Sequence, residues 1–241
     1  MGLMRWESFG ASVRGPSHVR AWLPNQDSYG VVSHMWGDVG IVSDGVGSRP
    51  TSEYGSDAAC RAVVMAAWDW ENMANDVDAL LERIHLNWLA CIKPFDPRKS
   101  AATCLFSFRP ANGRIILGML GDGLIAVLKT DGTVKELTED KDGSFSNQTD
   151  ALSENTKPKQ WRTASVAQEE CLAVLLCTDG VADDLLPERR DAFVRHIYEQ
   201  GQKLAPATVA RELRKMLEDW PVPKHSDDKT LVCLYRCEDE A

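Results

Sequence analysis

The chain reads as an α+β fold, with antiparallel sheets and helices packed outside them. Apolar runs of strand length follow one another with only short turns between, as hairpins require. The amphipathic helical segments come in two consecutive pairs instead of alternating with single strands. No internal repeat and no Pro/Gly/Ser linker divides the 241 residues, so a single domain over 1–241 is expected.

Taken in order, a strand is predicted near 8–14, then a loop, then strands near 28–34 and 38–43. Two helices follow, at about 55–73 and 76–92, the second with Val77, Leu80, Leu81, Ile84 and Trp88 on one face. Strands at 101–108, 114–120, 124–129 and 133–137 are predicted to meander antiparallel through short turns. The stretch 140–163 is polar with weak periodicity, and so long a loop in a compact domain is usually functional or disordered; from its length, polarity and place just ahead of the strand that ends at Asp179, it is expected to be a flap over whatever that strand end binds. A strand at 172–177 precedes helices near 188–200, with Gly201 as the stop, and 206–219, with Pro206 in the first turn. The last strand is 230–236.

Composition narrows the function classes. An apolar content of 44% with eight tryptophans promises a substantial core. No run approaches the ~18 apolar residues of a membrane span. The start Met1-Gly2-Leu3-Met4-Arg5-Trp6-Glu7 lacks the apolar stretch of a signal peptide, and Trp6 stands where a myristoylation motif wants Ser or Thr. A soluble, cytoplasmic protein is expected, with no membrane partner. The seven cysteines are odd in number, contain no Cys-x-x-Cys and lie mostly in apolar segments, which favours buried thiols over a zinc site. Thirty-six acids against 27 bases give a net charge of −9, and no Lys/Arg cluster is long enough to track a phosphate backbone. Nucleic acid is therefore not an expected partner.

Some of that acid stands at strand ends. Val39–Ser43 runs into Asp44-Gly45, Ile115–Gly121 into Asp122-Gly123, and Leu172–Thr178 into Asp179-Gly180, while Asp227-Asp228 leads into the apolar run Leu231–Leu234. Carboxylates at strand ends, beside a glycine that lets backbone approach closely, make a pattern for hard divalent cations. Asp131-Gly132 shows the bland alternative: polar residues flank it and an alternating arm follows, as in a two-residue hairpin turn. Asp44 and Asp179 have no such second arm.

The ordered segments Asn25-Gln26-Asp27-Ser28, Val42-Ser43-Asp44-Gly45-Val46-Gly47, Ser100-Ala101-Ala102-Thr103, Leu120-Gly121-Asp122-Gly123, Cys177-Thr178-Asp179-Gly180-Val181-Ala182-Asp183 and Ser226-Asp227-Asp228-Lys229-Thr230 resemble the metal-dependent serine/threonine protein phosphatases of type 2C, the PPM family, in its bacterial form. The resemblance spans about 8–236. It implies a four-layer α-β-β-α sandwich, two antiparallel sheets flanked by helices, with two or three Mn²⁺ or Mg²⁺ ions at one end. It further implies that Asp44, Asp179 and Asp227 are metal ligands together with the Gly45 carbonyl. Asp27 matches an acid that orients water, and Asp122 one near a third metal.

Three positions depart from the family pattern. Gln26 stands where a ligand Glu is usual, Val46 where some members carry a His, and Trp22 where the phosphate-binding Arg is expected. That leaves Arg20, or His18 beside it, to meet the phosphate; His225 is the other histidine near the site. Of the neighbours Asp227 and Asp228, whose side chains point to opposite faces, Asp227 is expected to face the metals, and Asp228 to tolerate an amide. The expected activity is hydrolysis of phosphoserine and phosphothreonine in a protein substrate, by a monomer. The alternatives are an aspartyl phosphatase built on Asp44, which lacks a second acid at Val46, and a weak or inactive phosphatase-fold regulatory or binding module.

Overall fold

In the computed structural model, residues 5–137 and 150–237 are described. Two five-stranded antiparallel sheets lie face to face. The first has the order β1 (Trp6–Val13), β10 (Lys229–Arg236), β9 (Cys171–Cys177), β6 (Leu124–Lys129), β7 (Val134–Leu137). The second runs β2 (Asp27–His34), β3 (Gly37–Asp44), β4 (Cys104–Pro110), β5 (Arg114–Leu120), β8 (Arg162–Ala167).

Strand alternation sorts the side chains into three apolar layers. Val42, Leu105, Leu117, Ile125, Val174, Leu176, Val232 and Leu234 meet between the sheets. Their neighbours in sequence point outward. Ile41, Cys104, Phe106 and Phe108 pack on helices α2 (Ser52–Trp68) and α3 (Val77–Cys91); of the predicted face of α3, Leu80, Leu81, Ile84 and Trp88 are fully buried there and Val77 is partly buried. Leu175, Cys177, Leu231 and Cys233 pack on α5 (Pro187–Lys203) and α6 (Pro206–Glu218) through Val194, Ile197, Val209 and Leu213. The result is the expected α-β-β-α sandwich. Strands with apolar residues on both faces are what a four-layer arrangement requires, since each sheet is covered twice.

Several details differ from the sequence reading. The strands after α3 do not form one meander: β5 pairs with β4 and β8, whereas β6 pairs with β7 and β9 in the other sheet. The link 121–123 changes sheets, with Gly121 and Gly123 at φ +103° and +119°, values that side-chain-bearing residues rarely adopt. The Asp131-Gly132 turn is a longer hairpin: the Gly132 N–H donates to the Lys129 carbonyl and the Lys129 N–H to the Thr133 carbonyl, and of the pair only Gly132 has positive φ. Gly201 is no stop, because α5 continues to Lys203; Gly201 is buried where a Cβ would lie 3.0 Å from Tyr235 and 3.1 Å from Phe9. The first helix ends at Trp68, and 70–73 form a separate 3₁₀ turn. The loop after β1 contains the short helix α1 (Pro16–Ala21), and β8 occupies the end of the polar stretch. Of the expected flap at 140–163, residues 140–149 lie outside the described residues; Leu152 is buried and bridges to Ala102.

The cysteines follow the reading: Cys60, Cys104, Cys171, Cys177 and Cys233 are buried free thiols, each raised in pKa by that burial. Among the described residues no helix is long and apolar enough to cross a membrane.

Candidate active site

One end of the sandwich gathers the strand-end acids. Asp27 opens β2 and Asp44 closes β3, directly opposite each other in the antiparallel register. The Gly45 N–H donates to the Gln26 carbonyl at 3.1 Å and so closes the hairpin beyond them. Asp44 is also fixed from the other side: its N–H donates to the Thr103 hydroxyl at 2.9 Å, and its carbonyl accepts from the Thr103 N–H at 2.8 Å. In the facing sheet, Asp179 begins the short helix α4 (Asp179–Ala182) after β9, and Asp227 stands just ahead of β10. Gly180 permits this: a Cβ there would lie 1.9 Å from the Asp228 carbonyl oxygen, so only glycine lets the two backbones pass. Asp122 lies in the link that changes sheets.

These carboxyls perturb one another. Burial pushes Asp27 up to about 7, against hydrogen bonds from Thr230 and Thr178 that favour its charged form. Burial and then the charges of Asp27, Asp179 and Asp227 hold Asp44 well above the usual carboxylate range. Asp179 is pushed up to about 7 by burial, then by Asp122, Asp227 and Asp27. None of the leading influences on the three is a cation. The charges of Asp27, Asp122, Asp179 and Asp227 thus each reach Asp44, Asp179 or both.

Asp179 accepts from the Gly180 N–H at 2.7 Å and Asp227 from the Asp228 N–H at 2.9 Å, each through one oxygen, leaving the second oxygen of each. All-oxygen donors are the chemistry that suits Mg²⁺ or Mn²⁺. Among the described residues no three His, Cys, Asp or Glu side chains stand close enough to enclose an ion. The fit therefore rests on donor chemistry and charge, not on a closed shell. A cavity of about 240 Å³ opens beside Asp179 and Asp227, with His225 in its wall.

Beneath the acids runs a polar floor to which the sequence reading gave no role. The Thr178 hydroxyl donates to Asp27 at 2.8 Å, the Thr230 N–H to the Thr178 oxygen at 3.2 Å, the Thr230 hydroxyl to Ser12 at 2.7 Å, and Asn25 to Ser12 at 2.7 Å. The available signal was a pair of hydroxyls, Thr178 and Thr230, inside otherwise apolar strand ends.

Asp228 is the other residue whose role the sequence did not reveal. It is 2% exposed. Its Oδ1 accepts from the Gly15 N–H at 2.6 Å; its Oδ2 accepts from the Gln26 N–H at 2.6 Å and lies 2.8 Å from His18 Nδ1. This carboxylate clamps both ends of the segment that carries α1, and because both oxygens serve backbone donors the geometry argues against the expectation that it tolerates an amide. His18 is thereby tied to the site. Arg20 is exposed on α1, and Trp22, at the position usual for the phosphate-binding Arg, is 91% exposed in a left-handed conformation. Behind α4, buried Lys229 donates to the Gly180 carbonyl at 2.6 Å and pairs with Asp184 at 3.1 Å, while its ammonium lies over the Trp220 ring.

Residues 14–218 match the sequence profile of the family described as Protein phosphatase 2C. Among solved structures, a bacterial serine phosphatase superposes with a TM-score of 0.65 at 14% identity, over 98% of this chain and 100% of that one. MsPP, a PPM Ser-Thr phosphatase from Mycobacterium smegmatis in complex with cacodylate, gives 0.62 at 19% identity over 95% and 97%. RsbX in complex with magnesium gives 0.60 at 15% over 98% and 97%. At these identities the structures show a shared fold. No curated protein matches the chain in sequence.

Proposed function

The chain belongs to the protein phosphatase 2C family, and from that premise we propose that it hydrolyses phosphoserine and phosphothreonine in proteins with Mn²⁺ or Mg²⁺ as cofactor. The observation that carries this reading is the gathering of Asp27, Asp44 and Asp179 at one end of the sandwich, where burial raises all three and neighbouring carboxylates, Asp122 and Asp227 among them, raise Asp44 and Asp179 further. Carboxylates gathered at one end of a fold, of which Asp27 is buried and Asp44, Asp122 and Asp179 are half-buried, repel one another unless cations enter.

In this reading Asp44, Asp179, Asp227 and the Gly45 carbonyl hold two ions, and Asp122 contributes to a third. Bound there, the ions would lower the pKa of a water and offset the negative charge of the phosphate. Asp27, anchored by Thr178 and set opposite Asp44, orients the attacking water. His18 has Nδ1 engaged with Asp228, which leaves Nε2 to meet a phosphate oxygen, and Arg20 is the second candidate for that contact. Val46 carries no proton to give, so the leaving serine oxygen takes its proton from solvent. The same reading takes 1–241 as one catalytic domain, acting as a cytoplasmic monomer on a phosphoprotein, with no nucleic-acid or membrane partner.

The test is hydrolysis of p-nitrophenyl phosphate and of a phosphothreonine peptide. Activity is expected with added Mn²⁺ or Mg²⁺, to vanish in EDTA, and to fall by most of its value in Asp179→Asn. Full activity in chelator would overturn the metal-dependent reading.

A further inference from the structure

At the other end of the second sheet lies a feature the hydrolysis does not use. The β2–β3 hairpin has Asp27 and Asp44 at one end and His34 and Gly37 at the other, seven residues along an extended strand or roughly 23 Å. Around that far end a cavity of about 660 Å³ opens between the hairpin, the end of α2 and the β4–β5 turn. This is within the size range of ligand sites.

Its wall is aromatic and its rings form one connected group. The His34 ring stacks on Trp36, with centroids 5.7 Å apart and planes at 27°, and lies 5.6 Å from Trp68; Trp36 and Trp68 are 6.3 Å apart at 62°. Trp68 is 66% exposed and Met35 86% exposed, so the outer part of this cluster adds little to the core. Trp70, by contrast, is buried edge-on against Phe108 and serves as the backing.

The charge around the cavity has one sign. Glu71 is the only acid among its lining residues, and no Lys or Arg lines it. Two arginines tied to residues adjoining the wall in sequence are paired, Arg83 with Asp69 and Arg109 with Asp38. Asn75, also in the wall, and Ala74 before it both hold left-handed backbone, at φ 58° and 53°; neither is glycine, and strained turns of this kind recur at ligand sites.

An exposed indole face beside a single unpaired carboxylate recognises a cation that can lie on a ring and be met at its edge. A guanidinium does both, since it is planar, stacks on aromatic faces and offers a fork of donors to a carboxylate. A proline-rich segment would use the rings but has no need of Glu71. We propose that this cavity is a docking site for an arginine side chain of a protein partner, with the guanidinium on the Trp68 and His34 rings and Glu71 at its fork. The site is separate from the acid cluster and its occupancy does not depend on hydrolysis.

The experiment titrates the full chain with acetyl-Gly-Arg-Gly-amide, read by tryptophan fluorescence and by the indole N–H resonances in a two-dimensional NMR spectrum. Saturable binding is expected, with the Trp68 resonance, assigned through Trp68→Phe, among those that move. Trp68→Ala and Glu71→Gln, both at exposed positions, should each weaken binding by about fivefold or more. Asp179→Asn should leave it unchanged. Equal binding of the same peptide with glutamine or lysine in place of arginine, preference for a polyproline peptide, insensitivity to both cavity variants, or loss of binding in Asp179→Asn would overturn the proposal. So would the absence of saturable binding to the wild-type chain.

Discussion

Replacing Asp228 by asparagine changes one atom, yet the structure gives that atom a partner whichever way the amide is turned. The carboxylate accepts from the Gly15 N–H on one oxygen and from the Gln26 N–H on the other, both at 2.6 Å, with His18 Nδ1 at 2.8 Å. Asparagine keeps a single acceptor, so one buried backbone N–H must face an NH₂ group. An unsatisfied buried donor costs about 1–3 kcal/mol, and loss of the charge weakens the contacts that remain by about another 1 kcal/mol. Asp228→Asn is therefore expected to lower unfolding stability by roughly 2–4 kcal/mol. It should also lower kcat/KM, because Gln26 precedes Asp27 and His18 hangs from the same carboxylate. Urea unfolding followed by circular dichroism, with metal present throughout, measures the first effect, and phosphopeptide kinetics the second. A stability loss below about 0.5 kcal/mol would refute the clamp, since that is the size of an ordinary surface substitution.

Two more predictions come from the same end of the sandwich. Gly180→Ala would place a Cβ 1.9 Å from the Asp228 carbonyl oxygen, so the backbones carrying Asp179 and Asp227 must separate; a stability loss of about 1–3 kcal/mol with weaker Mn²⁺ binding is expected, and unchanged calorimetric affinity would count against it. Asp27 and Asp179 sit at about 7 in the folded chain against an ordinary value of 3.8. Their contribution is then fully present below the unfolded value and lost as pH rises through about 7. In EDTA the urea midpoint should fall between about pH 4 and pH 7, and saturating Mn²⁺ should remove that slope; a midpoint that rises with pH across that range in EDTA would contradict the burial argument.

What the sequence disclosed was local. Each acid of the cluster follows or precedes a run such as Leu172–Thr178, and a strand apolar on both faces is visible without a structure. What stayed hidden was set by partners distant in the chain. A turn carrying Gly121 and Gly123 reads alike whether it stays in one sheet or crosses to the next, and only the pairing of β6 with β9 decides it. Strand β8 buries little beyond Val166, and α1 buries none of its six residues, so neither leaves a periodic trace. Gly201 resembled a helix stop because its real reason, the rings of Tyr235 and Phe9, lies in two other strands. The role of Asp228 depends on donors 213 and 202 residues away, Gly15 and Gln26.

That last separation governs when the site can exist at all. Strand β10 is inserted between β1 and β9, so the first sheet stays split until the final strand arrives, and the clamp on Gly15 and Gln26 forms only then. Contacts that span most of the chain are the slowest to form, because their loops must close before any contact rewards the closure. A chain emerging in order would hold β2, β3 and β9 for some time while α1 still lacked the carboxylate that fixes its segment at Gly15 and at the Gln26 N–H. Phosphate release measured during refolding should accordingly lag the recovery of helical signal, with appearance of activity marking the moment the last strand slots into place.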